Sequence, residues 1–210
     1  MKASVEDLEV LSRKFRLKIL ETIYNSGKGH VGGAFSCIDI LTVLYFGDFL
    51  NLDKRNFLCD DRNRFLLSKG HAAIAQYVIL HELGIVHQKD LSEMNNGGIL
   101  GEHPDHNIPG IEYDSGSLGH GLSVASAFAY SAKLDGKSFK TYVMLGDGEC
   151  YEGTIWEAAL LSSHLNLNNL VAIVDRNGLC IQGATEKINK LDPFDDKWRS
   201  FGWNVVEVDG

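Results

Sequence analysis

The chain has 210 residues, with 20 Lys plus Arg against 28 Asp plus Glu, a net charge of −8 and a pI of about 5.4. With 44% hydrophobic and 23% charged residues it can bury a core and is not disordered by composition. The acidic balance argues against a general nucleic-acid binder, which needs a basic patch to release counterions. No apolar run reaches the length of a membrane-spanning helix. The N-terminus, MKASVEDLEVLSRKF, has early carboxylates and lacks an apolar core, so no signal peptide is expected. Cys37, Cys59, Cys150 and Cys180 lie far apart with no C-x-x-C. They read as reduced, mostly buried thiols of a cytoplasmic protein.

Apolar residues at Leu8, Leu11, Phe15, Ile19 and Ile23 predict a helix over 5–25. The run Gly27-Lys28-Gly29-His30-Val31-Gly32-Gly33 is too glycine-rich for a helix, so the next helix is expected from an N-cap at Ser36 to about Phe49. Arg64 to Leu67 reads as a short buried strand leading into Ser68-Lys69-Gly70-His71 and a helix over 72–83. Residues 92–117, with Pro104 and Pro109, read as a long ordered loop, and such loops are usually functional. A helix over 119–134 carries Ala125, Ser126, Ala127 and Ala129, small residues that suit tight packing on a neighbour. Then follow a strand over 141–145, a helix over 152–165, a strand over 170–174, a short helix over 194–201 and a strand over 204–208. Strands alternating with helices predict an α/β fold in one domain, a mostly parallel sheet with helices on both faces.

The strongest constellation is Gly146-Asp147-Gly148 followed, after residues 149–176, by Asn177. Each piece ends a predicted strand, and ligands bind at strand C-termini in open α/β sheets. Asp147 offers a carboxylate oxygen and Asn177 an amide oxygen, the hard donors that Mg²⁺ wants beside phosphate oxygens and water. The flanking glycines admit a close approach of the backbone to a diphosphate, and the helix starting near Glu152 points its N-terminus at the same anion. Gly-Asp-Gly alone reads as turn chemistry; the pairing with Asn177 favours the metal.

His30, His71 and His103 stand in loops or at element starts, where imidazoles bind phosphates and hydroxyls and move protons. Zinc at His103 and His106 is disfavoured: Pro104 opposes a helix, no Cys accompanies them, and there is no H-E-x-x-H. No G-x-G-x-x-G follows a strand, which disfavours a nicotinamide cofactor. His81, His87 and His164 read as ordinary helix-flanking residues.

In this order, Gly29-His30-Val31-Gly32-Gly33, Ser68-Lys69-Gly70-His71-Ala72, His103-Pro104, Gly116-Ser117-Leu118-Gly119, Gly146-Asp147-Gly148-Glu149 and Asp175-Arg176-Asn177 resemble the N-terminal, thiamine-diphosphate-binding domain of transketolases. In particular the chain resembles the separate N-terminal subunit of split transketolases. The resemblance implies thiamine diphosphate and Mg²⁺ (or Ca²⁺) as cofactors. Asp147, Asn177 and the Leu179 carbonyl would hold the metal, while His71, Gly148 and Asn177 would serve the diphosphate. Gly116, Ser117 and Leu118 would line the cofactor, and His30 and His103 would face the reacting carbon. Glu152 and Glu157 would lie near a subunit contact, or be solvated helix charges.

A partner chain with the pyrimidine-binding domain would complete the catalyst in a dimer of heterodimers, transferring a two-carbon ketol unit between sugar phosphates. The resemblance also implies that the domain runs on beyond Val208-Asp209-Gly210 in the family. The alternatives are a deoxyxylulose-phosphate-synthase-like or acyloin-forming enzyme of the same group, or a non-catalytic partner that keeps the fold. Glu102 before His103, His120 after Leu118-Gly119, and Arg176 before Asn177 depart from the family's pattern.

Overall fold

The computed structural model describes all residues except 1, 2, 51, 53, 54, 56 and 210. Helix α1 (Val5–Ser26) opens on a reciprocal cap. The Asp7 N–H donates to Ser4 Oγ at 3.1 Å and the Ser4 N–H to Asp7 Oδ2 at 3.1 Å. It closes on Gly27 in the left-handed conformation and buries Phe15 and Ile19, as its spacing predicts.

The next helix, α2 (Val31–Phe46), departs from expectation at its start. His30, not Ser36, is its N-cap residue, and Gly32 and Gly33, read as part of a helix-breaking run, lie in its first turn. Glycine is admitted there because a Cβ on Gly33 would stand 2.5 Å from His71 Cδ2. The helix ends at Phe46, short of Phe49. It buries Ala34, Cys37, Ile38, Leu41 and Tyr45 at helical spacing.

A parallel three-stranded sheet follows in the order β1 (Arg64–Leu67), β2 (Thr141–Gly146), β3 (Leu170–Asp175). In register, Phe65 sits beside Tyr142 and Leu67 beside Met144 on one face, with Leu66 beside Val143 on the other. This period of two sorts the core into two layers. Phe65, Leu67, Tyr142 and Met144 pack with α1, α2 and α3 (Ala73–Glu82). Leu66, Val143 and Leu145 pack with α5 (Gly121–Leu134), α6 (Gly153–His164) and α8 (Phe194–Ser200). Helices thus cover both faces, the α/β arrangement expected.

The small residues of α5 let it approach α6 closely: Ala125, Ser126 and Ala129 are buried, and Ser126 Oγ meets Ser162 Oγ at 2.7 Å. Ala127, by contrast, faces outward.

Three short elements escaped the sequence reading: α4 (Gln88–Ser92), the β4 (Leu179–Cys180) and β5 (Gly183–Ala184) hairpin, and α7 (Thr185–Ile188). The expected strand over 204–208 is absent. That segment has no ladder partner among the described residues, and a cavity of about 740 Å³ lies among it, Val174 of β3 and Trp198 of α8. Apolar β-formers give an extended chain, but a strand also needs a neighbour's backbone. Among the described residues no helix is long and apolar enough to cross a membrane. All four thiols are free. Cys37 and Cys150 are buried, while Cys180 is half-buried and Cys59 exposed, so burial holds for only part of the set. Burial pushes the Cys37 thiol up to about 12.

Candidate functional site

The C-terminal ends of all three strands open on one side. β2 ends in Gly146 and passes into Asp147, which is buried at 1% exposure. The Asp147 N–H donates to the Asp175 carbonyl at the end of β3 at 3.2 Å. Asp147 Oδ1 accepts the Gly148 N–H at 2.7 Å, and Oδ2 accepts the Gly178 N–H at 2.8 Å. The turn after β3 therefore folds back on the carboxylate that ends β2. Burial raises the Asp147 pKa above the ordinary carboxylate value, partly offset by these two N–H groups. Asn177 sits exposed in that turn, with Oδ1 accepting the Leu179 N–H at 2.9 Å.

Between Asp147 and α6 the chain makes a 3₁₀ turn, Gly148–Tyr151, so the Gly148 N–H is engaged by Asp147. Helix α6 starts at Gly153 with Glu152 as its N-cap residue, within one residue of the expected start. Gly148 also packs on Cys180, where a Cβ would come within 2.9 Å of the Cys180 Cβ.

The histidines come together although 73 positions separate His30 from His103 (103 − 30). The rings of His30 and His71 meet edge to face at 5.7 Å. Gly116, at φ +138°, lies against the His103 ring, with 3.0 Å from a built Cβ to His103 Cδ2. Gly70 packs on the same loop, 2.7 Å from a built Cβ to the Gly116 nitrogen. Burial, with Lys69, His30 and His103 nearby, lowers the His71 pKa to about 4, so its imidazole is neutral at pH 7. His30 and His103 are exposed on the open side.

Residues 93–120 hold no helix or strand, yet they are tied down at several points. The Tyr77 hydroxyl donates to the His103 carbonyl at 2.7 Å. Arg62 and Arg64 pair with Glu112, and His106 Nδ1 meets Asp114 at 2.8 Å. Asp105, His106 and Asp114 lie close enough to share a metal, but all three are exposed and His103 is not among them. Ser117 is exposed and Leu118 half-buried at the end of this loop.

Glu149, inside the Gly-Asp-Gly-Glu motif but given no role from sequence, is the anchor of that loop's far end. It is 2% exposed. Its Oε1 accepts from Ser68 Oγ and the Gly119 N–H, and its Oε2 from the Gly146 N–H. It ties the ends of β1 and β2 to the segment before α5. Sequence also missed the buried pair Lys69 and Asp175 at the ends of β1 and β3. A charge set off by Ser68 from the run Phe65-Leu66-Leu67 and another closing the run Leu170 to Val174 were the available signal.

Of the departures, Arg176 turns away to Asp192 and stacks over Phe194 at 5.5 Å, and His120 Nδ1 lies 3.0 Å from the Leu118 carbonyl. Glu102 is half-buried. Glu152 and Glu157 are exposed at the start and on the outer face of α6.

Residues 9–210 match the model of the family described as transketolase, thiamine diphosphate binding domain. Among curated relatives, an apulose-4-phosphate transketolase subunit of Phocaeicola vulgatus is 44% identical over 98% of this chain and 73% of its own length. The 6-deoxy-6-sulfo-D-fructose transketolase subunit SqwG of a Clostridium species is 39% identical over 97% of this chain and 74% of its own. Among solved structures, transketolase from Leishmania mexicana superposes with a TM-score of 0.88 at 29% identity, over 99% of this chain and 32% of that one. The chain thus spans most of the subunit-type relatives and about a third of that full-length transketolase. The family match over nearly the whole chain makes this chain a member of the transketolase thiamine-diphosphate-binding domain family.

Proposed function

We propose that this chain is the thiamine-diphosphate-binding subunit of a two-chain, cytoplasmic transketolase, acting in a dimer of heterodimers with a C-terminal partner that carries the pyrimidine-binding domain. The observation that carries the reading is the convergence of an oxygen-donor pair, Asp147 and Asn177, with His30, His71 and His103 at the ends of three parallel strands. The residues fit the cofactor. A buried carboxylate with lone pairs to spare, an amide oxygen and a backbone carbonyl at Leu179 are the donors that Mg²⁺ or Ca²⁺ takes beside phosphate. Gly33 and Gly116 let the rings of His71 and His103 pack against the backbone, where a Cβ would meet them at 2.5 and 3.0 Å. Ser115 Oγ, buried beside Gly70 and without a partner in the structure, is a polar atom at the same wall.

Thiamine diphosphate supplies the nucleophilic carbon and the electron sink of ketol transfer. Asp147, Asn177 and the Leu179 carbonyl would hold the metal, whose charge would offset that of the diphosphate. His71, beside His30 and just past the end of β1, would contact the diphosphate through its imidazole. Gly148 would also contact the diphosphate, and Gly116, Ser117 and Leu118 would line the cofactor. His30 and His103, exposed toward the open side, bind donor hydroxyls and carry protons to and from them. The substrate is a ketose bearing an anionic group. The names of the two relatives, a sugar phosphate and a sulfo-sugar, support that class.

Calorimetry on the assembled enzyme tests the anchor. Asp147→Ala removes a charged ligand, and losing such a contact costs about 2–5 kcal/mol, so metal-dependent binding of thiamine diphosphate is expected to vanish in the measurable range. Asp147→Asn keeps the shape without the charge and falls between. Unchanged affinity in Asp147→Ala refutes the metal assignment. Product analysis with xylulose 5-phosphate against pyruvate as donor then separates ketol transfer from a synthase-type reaction.

A further inference from the structure

Asn177 can serve a metal only if its amide presents oxygen, not nitrogen, to the site, and two groups decide which way it turns. The Leu179 N–H needs an acceptor and meets Oδ1 at 2.9 Å. The Asp175 carboxylate can only accept, and Nδ2 points at its Oδ2 from 3.5 Å and at Ser36 Oγ from 3.3 Å. A flipped amide would set oxygen against carboxylate and N–H against N–H.

Asp175 is in turn fixed from three directions. Its side chain is paired with Lys69, itself 1% exposed, and accepts from Ser36 Oγ. Lys69 Nζ also reaches Ser36 Oγ at 3.2 Å. The Asp175 main-chain carbonyl takes the Asp147 N–H. One residue thus holds the backbone of one candidate ligand and the side chain of the other. Ser36 comes from α2, Lys69 from just past β1 and Asp175 from the end of β3, so the cluster spans three elements.

We propose that Ser36, Lys69 and Asp175 form a positioning clamp that sets the amide of Asn177 and the backbone of Asp147 for the metal, beyond any part they play in holding the fold. The inference rests on the function proposed above. A buried ion pair alone would not imply it, because replacing such a pair with apolar residues of similar volume is often neutral or stabilising. That property supplies the test. In the double variant Lys69→Met/Asp175→Leu, a purely structural pair predicts an unchanged fold and unchanged metal binding. The clamp predicts a folded protein whose half-saturating Mg²⁺, at fixed thiamine diphosphate, rises roughly ten- to a hundredfold, the usual cost of losing a group that orients a ligand.

Both quantities are read on the assembled enzyme, by thermal melting and by calorimetric Mg²⁺ titration. Ser36→Ala removes only a hydroxyl and is expected to raise half-saturation several-fold at an unchanged melting temperature, with Ser36→Thr restoring it. If the double variant fails to fold, Ser36→Ala against Ser36→Thr decides. Parent-like half-saturation in the folded variants overturns the clamp, as does a loss of metal affinity that only tracks the melting temperature. Asp147→Ala, run alongside, separates the two levels. If it too binds Mg²⁺ and thiamine diphosphate normally, the proposed function fails; if it alone loses binding, only the clamp does.

Discussion

His71 shows how position, not residue type, sets a role. Its ring is packed under Gly33 and beside His30, with Lys69 behind it, and burial is the main reason its pKa falls to about 4 from an ordinary 6.5. A folded pKa below the unfolded one means that the unfolded chain binds the proton first. Stability from this group is therefore present above pH 6.5 and is lost as the pH falls from 6.5 toward 4. NMR titration of the cofactor-free chain should show the His71 ring neutral at pH 6, with a midpoint near 4; a midpoint at or above 6.5 would contradict the packing. His103 differs, because its ring is exposed and its carbonyl is fixed by Tyr77. In the assembled enzyme His103→Ala should bind thiamine diphosphate almost normally and lose about 10²–10⁴-fold in kcat, whereas His71→Ala should regain much of its rate at high cofactor. A parallel fall in melting temperature and activity for both would mean that they only hold the fold. The fold brings His30, His71 and His103 together, and that they stand out as a group was legible from their settings at loops and element starts. The buried Glu149 and Asp175 were not, because sequence shows a carboxylate but not the three donors around it.

At the scale of elements, β1, β2 and β3 were legible because each is an apolar run too short for a helix and bounded by turn residues. The start of α2 was not. Two adjacent glycines ordinarily end a helix, yet here they begin one, since Gly33 must let the His71 ring pass. The two glycines therefore respond oppositely to alanine. Gly32 has nothing within 4 Å of a built Cβ, so Gly32→Ala should stabilise the protein by about 0.5–1 kcal/mol through helix propensity and leave cofactor binding alone. Gly33→Ala gains the same propensity but drives a Cβ to 2.5 Å from Cδ2 and 2.8 Å from Nε2 of His71. A side-chain ring can swing where backbone cannot, so the melting temperature should hold while thiamine diphosphate affinity drops several-fold. Thermal melting and calorimetry on the pair check this, and equal affinities would show that His71 does not need its present pose. The strand expected over 204–208, which does not form, has the opposite origin: its composition suits a strand, but pairing is a tertiary property that composition does not carry.

For the whole molecule, the proposed assembly makes a claim about a surface. On α6, Glu157, Leu160, Leu161 and His164 follow the i, i+3, i+4, i+7 spacing and share one face. All are exposed, Leu160 at 60% and Leu161 at 52%. The opposite face of the same helix buries Ile155, Ala158, Ala159 and Ser162 against the sheet layer. Two adjacent exposed leucines beside a carboxylate are costly for a free surface and well suited to the core of a subunit contact, where a few apolar anchors carry most of the binding energy. If that face is covered by another chain, Leu160→Arg and Leu161→Arg should each weaken assembly by about 1.4–2.8 kcal/mol, a ten- to hundredfold rise in Kd, because a buried leucine is lost and a charge is left without a partner. The isolated variants should melt where the parent melts, since neither side chain supports the core of its own chain. Light scattering of the chain with its partner across a concentration series measures the first effect and thermal melting the second. Ketol transfer should fall in step with the fraction assembled and recover at high protein concentration. Assembly that proceeds equally well with both arginines in place would remove α6 from the contact and leave Glu157 a solvated helix charge.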